Sequence, residues 1–573
     1  MTPIKLPKTD VVVIGLGAAG GVAVLPLASA GLKIVGLEAG SWFQAKDHLP
    51  DEIRNNIRHW PHAVQKANQE VPTARNGPNG PALPRPAYHP MMNGVGGTSL
   101  HYWGQSWRLN AWDFKVRSET LHRYGASAIP TDSTVEDWPL TYEDLEPYYD
   151  KVEYTIGVSG KAGNIRGAID QGGNIFESPR KREYPMPSLR TAGFPDQMAE
   201  AAKRLNWHSF RPPAAINSAT RGKRSACYYH GFCDRGGCPV NAKNSTAVTT
   251  IPEAMATGNL KVVPYAHVVA IDSDDDGRVA GVRYLTDERE YFQPASVVLL
   301  ASYTYENGRL LLLSKSKAYA KGLSNTHGQV GMHYMSHTMG GYWGNSVVGL
   351  FPHDINRWYG TPAQGIAVDN WADDNFDHSG IGFIGGGSIH IPMELKPIEA
   401  ARMPTFGQVP RWGSKWKAFV KQNAARWAYA YIQISTLPYK DHFLDLDPAV
   451  KDPFGYPVCR VTVSLKENER RAVIFMQEKA GQWFREAGAI EVSRTPVSPN
   501  PVTPHAYGGT RMGDDPETSV VDRWGFSHEA PNLGILGASV MGTSGARNPT
   551  LTVQALAWRT AEHLANEWKS VAR

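Results

Sequence analysis

The stretch DVVVIGLGAAGGVAVLPLASAGLKIVGLEAG, residues 10–40, decides how the whole chain is read. Residues 10–14 end in four consecutive β-branched side chains, as a strand covered on both faces would. Glycines crowd positions 15–21, small apolar residues fill 22–30, and 33–37 reads as a second strand. This is a strand–turn–helix–strand unit, the opening of a parallel α/β sheet. Within it, Gly15, Gly17 and Gly20 have the G-x-G-x-x-G spacing and Glu38 ends the second strand. Gly15 permits the tight turn, Gly17 lets a pyrophosphate reach the backbone, and Gly20 lets the helix lie close to the strand. Glu38 is placed to accept hydrogen bonds from a ribose. The same spelling recurs at 380–385, but Gly386, Gly387 and a strand-like run to Pro392 follow it. No helix N-terminus faces a phosphate there, so that copy reads as a loop.

Working outward, the Pro- and Gly-dense segment 76–90 reads as an extended arm leading to a second glycine turn at 93–97. Residues 138–153 read as a helix capped by Thr141, with Asp144 three positions on. Segments 261–271 and 278–284, on either side of the acidic turn 272–277, predict a hairpin, and 297–300 a further buried strand. Residues 335–460 are rich in Gly, Trp, His and Tyr without helical period, whereas 467–487 is an amphipathic helix. The expected fold class is α/β (α+β overall), a Rossmann-like nucleotide-binding domain joined to a second domain built on an antiparallel sheet.

Composition excludes several functions. The 573 residues suffice for two to four folding units, and with 42% hydrophobic and 20% charged residues the chain can bury a large core. Lys and Arg exceed Asp and Glu by only five, and no long like-charge run occurs, so a nucleic-acid surface is not expected. No apolar stretch reaches the roughly 20 residues of a membrane helix. A small-molecule partner is expected instead.

Four segments, in order, resemble the glucose-methanol-choline (GMC) oxidoreductase family: the N-terminal fingerprint, GVGGTSLHYW at 94–103, ASYTYENGRLLLLS at 301–314, and the C-terminal pair HAYGGTRMG at 505–513 and GTSGARNPTLTVQAL at 542–556. Within the family the chain is most similar to flavoprotein subunits of bacterial multi-subunit sugar and sugar-acid dehydrogenases. The resemblance implies a bound FAD with its pyrophosphate at Gly15, Gly17 and Gly20 and Glu38 on the ribose. Gly96, Gly97, Thr98, Ser99 and His101 would approach the isoalloxazine, Val268 would line the cofactor site, and Ala538, Asn548, Pro549 and Thr550 would close its other end. His101 resembles the covalent attachment site of some pyranose oxidases, but noncovalent contact is the expectation here. His505 stands in the family's base position and Asn548 beside it, so the resemblance implies proton abstraction from a CH–OH group and hydride transfer to flavin N5. A sugar, sugar acid or polyol is the implied substrate. The implied domains are a discontinuous FAD-binding domain (1–110, 221–330, 501–573) and a substrate-binding domain (111–220, 331–500). An oxidase using dioxygen, and a non-catalytic FAD-binding or assembly protein, are the rival readings.

Cys227, Cys233 and Cys238 fall within one short loop, followed by Pro239. They resemble the iron–sulfur loop of the sugar dehydrogenase subunits, implying a three-iron cluster that hands electrons to an external acceptor, a cytochrome. Zinc held by these thiols with His230, or three unligated thiols, remain alternatives. The nearby Arg221, Lys223, Arg224, Arg235 and Lys243 are either solvated charges, an offset to cluster charge, or a docking face. Residues 1–10 lack an apolar export core, so a periplasmic destination would require co-export with a small partner subunit; otherwise the chain is cytoplasmic.

Overall fold

The computed structural model describes residues 3–57, 71–84, 91–339, 344–403, 406–407, 409–499 and 503–573. At its centre five parallel strands lie in the order Leu260–Val263, Ile34–Leu37, Thr9–Ile14, Arg289–Leu300 and Leu533–Ile535. Helix Gly20–Ser29 makes the first crossover and packs against helices Thr250–Ala256 and Thr550–Asn566. Covered on both faces, Val11–Val13 and Val297–Leu300 are fully buried, which is why these strands are continuous apolar runs. The expected α/β class with a Rossmann-like unit is what forms.

Three local expectations change. Residues 261–271 are not one strand. Leu260–Val263 joins the parallel sheet, Tyr265 turns the chain at φ 56°, and His267–Ser273 then pairs with Val279–Thr286. Pro264 lacks the N–H that a continuing ladder needs. Residues 297–300 are the end of the longer strand Arg289–Leu300, whose first half belongs to the hairpin and second half to the parallel core. The arm at 76–90 begins as a hairpin, Thr73–Asn76 with Leu83–Pro84; residues 85–90 lie outside the described ones. Helix Tyr142–Val152 starts as read. The Thr141 hydroxyl accepts from Asp144 N at 3.3 Å, and the Asp144 carboxylate accepts from Thr141 N at 2.9 Å.

The second layer is an antiparallel sheet ordered Glu491–Arg494, Val347–Leu350, Trp427–Ile434, Gly387–Pro392, Gly365–Val368 and Ser209–Phe210, with Thr338–Met339 pairing the far end of Trp427–Ile434. Helix Glu467–Glu486 lays Val473, Met476, Trp483 and Phe484 on it. The region 335–460 also contains two helices, Pro397–Ala401 and Gly413–Asn423, which its composition did not announce. A four-stranded sheet pairs Phe443–Lys451 and Pro457–Val463 with the Thr73–Pro84 hairpin, joining segments that the sequence division assigns to different domains. Residues 380–385 form a loop ahead of strand Gly387–Pro392, as read. No helix among the described residues is long and apolar enough to cross a membrane.

Candidate active site

A cavity of about 660 Å³ runs from the first glycine turn to the C-terminal motifs. Gly15 takes φ +88°, and a Cβ there would lie 2.7 Å from Ala301 O; at Gly20 it would lie 2.0 Å from Gly15 O. Both glycines are demanded by packing. Gly17 is different, since its Cβ would meet only Gly97 Cα, at 3.8 Å. The space its missing side chain leaves belongs to the cavity. The helix behind it, Gly20–Ser29, has no side-chain cap; Gly21 N and Val22 N donate to Gly17 O and Ala19 O, so the turn offers an anion the positive end of the helix and the open backbone at Gly17. The residues here therefore fit a diphosphate.

The Glu38 carboxylate borders the cavity and is buried. Besides the ribose contact expected of it, it accepts from Leu16 N at 3.0 Å, Gly40 N at 3.0 Å and Gly94 N at 2.9 Å, stitching the two glycine turns together. That second role was not legible from the fingerprint. Gly97, Thr98, Ser99, His101, Val268 and Ala538 border the same cavity. Gly96 and Gly20 stand behind its wall; Gly96 turns the chain at φ +98° into the single turn Gly97–Leu100.

At the far end, His505 and Asn548 come together, with Asn548 Nδ2 3.4 Å from His505 Nε2; Pro549 and Thr550 continue the wall. Three neighbours hold the backbone around His505. Tyr303 Oη donates to Pro504 O at 3.0 Å, Thr304 Oγ1 to Ala506 O at 2.7 Å, and His337 N to His505 O at 3.1 Å. Tyr303 sits at φ +82°, a conformation seldom taken by a residue with a side chain, at the head of helix Thr304–Leu313. Burial, with His337 beside it, pushes the His505 imidazole well below its ordinary pKa. Asn548 is anchored by its neighbour Arg547, buried and ion-paired with Asp373 and, at 2.6 Å, with Asp369. Tyr429, Tyr431 and Trp103 add aromatic walls, Trp103 packing on Tyr431 with ring centroids 5.1 Å apart. Sequence reasoning missed His337, Tyr303 and the Arg547 pairs; only Arg547 and Tyr303 fell within quoted motifs.

The cysteine loop lies beside this end. Asp234, next to Cys233, accepts from Trp103 Nε1 at 2.6 Å, and Glu394 accepts from Cys233 N at 3.1 Å. Cys227 Sγ accepts from Tyr229 N at 3.4 Å and Cys238 Sγ from Ala242 N at 3.2 Å. Burial raises the pKa of both thiols, Cys227 to about 12 and Cys233 above its usual value. Among the described residues no three His, Cys, Asp or Glu side chains converge to hold one metal ion. Lys243 is not a solvated charge: it is buried, with Nζ donating to Cys233 O at 3.1 Å and Gly236 O at 2.9 Å.

A nucleotide cradle opening into the same cavity as a histidine–asparagine pair marks a cofactor-dependent oxidoreductase. Comparison narrows the class. Residues 191–339 and 438–557 match family models described as GMC oxidoreductase. The chain is 30% identical to the gluconate 2-dehydrogenase flavoprotein of Pantoea cypripedii, over 98% of this chain and 94% of that one. It is 27% identical to the fructose dehydrogenase large subunit of Gluconobacter japonicus, over 98% of each chain. A solved formate oxidase of Aspergillus oryzae shares the fold, with a TM-score of 0.60 at 14% identity over the whole of both chains. The chain belongs to the GMC oxidoreductase family and is an FAD-dependent oxidoreductase acting on CH–OH donors.

Proposed function

We propose that this enzyme oxidises a hydroxyl group of a sugar, sugar acid or related polyol and passes the electrons to an external acceptor rather than to dioxygen. The observation that carries the reading is the His505–Asn548 pair, 3.4 Å apart on the wall of the cavity that begins at Gly17. FAD, when bound, supplies the hydride acceptor. His505 Nε2 takes the substrate's hydroxyl proton, and its depressed pKa keeps the ring neutral and able to do so at ordinary pH. Asn548 donates to the developing alkoxide without competing for that proton. Tyr429, Tyr431 and Trp103 offer flat faces to the apolar side of a sugar ring. The names of the gluconate and fructose relatives support that substrate class.

Cys227, Cys233 and Cys238 would hold the iron–sulfur cluster, which supplies a one-electron outlet. Backbone N–H groups aimed at two of the sulfurs, which would stabilise ligating thiolates, support the assignment. A small partner subunit, supported by the relative described as a large subunit, together with a cytochrome acceptor and a periplasmic site of action, completes the proposal.

Anaerobic single-turnover flavin reduction with a panel of sugars and sugar acids tests the reading. His505→Ala should bind FAD and lose about 10² to 10⁴-fold in reduction rate; reduction at the parental rate would remove His505 from the chemistry. Iron analysis of anaerobically purified protein tests the cluster. Zinc in its place, or fast reoxidation of the flavin by air, would favour the oxidase.

A further inference from the structure

His337 belongs to no motif that marked the site, yet it lies fully buried directly behind His505. We propose that His337 is a positioning residue that fixes the tautomer of His505, leaving His505 Nε2 bare towards the cavity. The inference rests on the reading of His505 as the base.

The argument follows protons along a short chain of contacts. Gly545 O lies 2.7 Å from His337 Nε2, and a carbonyl only accepts, so that nitrogen carries the hydrogen. Burial holds His337 neutral, its pKa down at about 4. A neutral ring protonated at Nε2 has a bare Nδ1. Facing that lone pair at 3.1 Å is His505 Nδ1, which must then be the donor. His505 is thus protonated at Nδ1 and bare at Nε2. The other end agrees: His505 Nε2 faces Asn548 Nδ2, a donor, at 3.4 Å. The opposite tautomer would set two lone pairs together at one end and two N–H groups together at the other.

The Tyr507 hydroxyl does not compete for the lone pair. It lies 3.1 Å from both nitrogens of His337, which places it over the ring rather than along either lone pair. The two histidines are also held by their backbones, His337 N donating to His505 O. The other end of the chain is equally fixed, because Gly545 is two residues from Arg547 and its buried ion pairs. A neutral imidazole orients the base without the added basicity a carboxylate partner would give. This accords with the depressed pKa of His505.

The test reads the tautomer directly in holoenzyme carrying nitrogen-labelled histidine, by NMR, with the His505 signals identified by their loss in His505→Ala. The parent should show His505 protonated at Nδ1 alone. His337→Leu removes the acceptor and should mix the tautomers and slow flavin reduction by about tenfold or more, with substrate dissociation changed by less than about threefold. His337→Asn puts Oδ1 where Nδ1 was and should restore both. An Nε2-protonated His505 in the parent overturns the proposal, as does a His337→Leu enzyme with the parental tautomer and rate. If that variant does not fold, the parental spectrum alone decides. Failure of the base reading would appear separately, as His505→Ala reducing flavin at the parental rate.

Discussion

Replacing Gly17 with alanine should leave the fold intact and weaken the cofactor. The added Cβ would meet only Gly97 Cα, at the ordinary contact distance of 3.8 Å, and Gly17 is not among the glycines held at positive φ. The apoprotein should therefore lose nothing and gain about 0.4–1 kcal/mol from a stiffer unfolded chain. The methyl group instead enters the space between the glycine turn and the uncapped helix, where a diphosphate would lie. Displacing a charged oxygen from one N–H donor forfeits about 1.5–3 kcal/mol. That is roughly ten- to a hundredfold in FAD affinity. Gly20→Ala is the control, because its Cβ would lie 2.0 Å from Gly15 O and must disrupt the fold itself. Thermal unfolding of both apoproteins, followed by FAD titration of whichever folds, separates the two effects. A Gly17→Ala apoprotein that melts several degrees below the parent and yet binds FAD with parental affinity would refute the reasoning, since the glycine would then serve packing alone.

Asn548→Ala should slow flavin reduction less than His505→Ala, because it removes a hydrogen bond to the alkoxide and leaves the proton acceptor in place; stopped-flow reduction ranks the two. Arg547→Leu strands the buried Asp369 and Asp373 carboxylates and should cost about 3–5 kcal/mol in urea unfolding. His337, His390 and His442 are buried with their pKa values lowered to about 4. Between that value and an unfolded one near 6.5 the unfolded chain binds protons the native state refuses, so stability should fall as pH is lowered through this window. Each histidine contributes up to about 3 kcal/mol by the lower end. Melting temperature against pH, compared with His390→Gln, should show a shallower slope for the variant. Cys233→Ser should spare substrate-driven flavin reduction while slowing electron delivery to a protein acceptor.

What was legible in the sequence was local. The first strand, the glycine turn and the Thr141 cap are written in residues within a few positions of one another, and steric rules or a single side-chain bond suffice to read them. His505 and Asn548 were found through their motifs. His337 was not, because what makes it matter is a pairing between Met335–Ser336 and Ala506–Tyr507, strands far apart in the chain and two residues long. The break after Val263 was missed because Val, Tyr and Val on either side of Pro264 all favour strand; only the competing partners, the parallel neighbour and the hairpin, decide where each half goes. Helix Gly413–Asn423 was missed because its apolar stripe is short, Trp416, Phe419 and Val420, and only half-buried.

The parallel core has a consequence for the order of events in the cell. Its outermost strand, Leu533–Ile535, pairs with Val298–Leu300, and the cavity wall ends at residues 537–553, so a ribosome must release almost the whole chain before the cofactor's chamber has all its sides. The glycine turn at residues 15–20 is made long before those residues and has to wait. Partly synthesised chains therefore hold an open apolar strand edge with no ligand to cover it, a state prone to misassociation. Flavin loading belongs to the completed polypeptide, and loss of the last forty or so residues should leave a protein unable to retain FAD even though Gly15, Gly17 and Glu38 are all present.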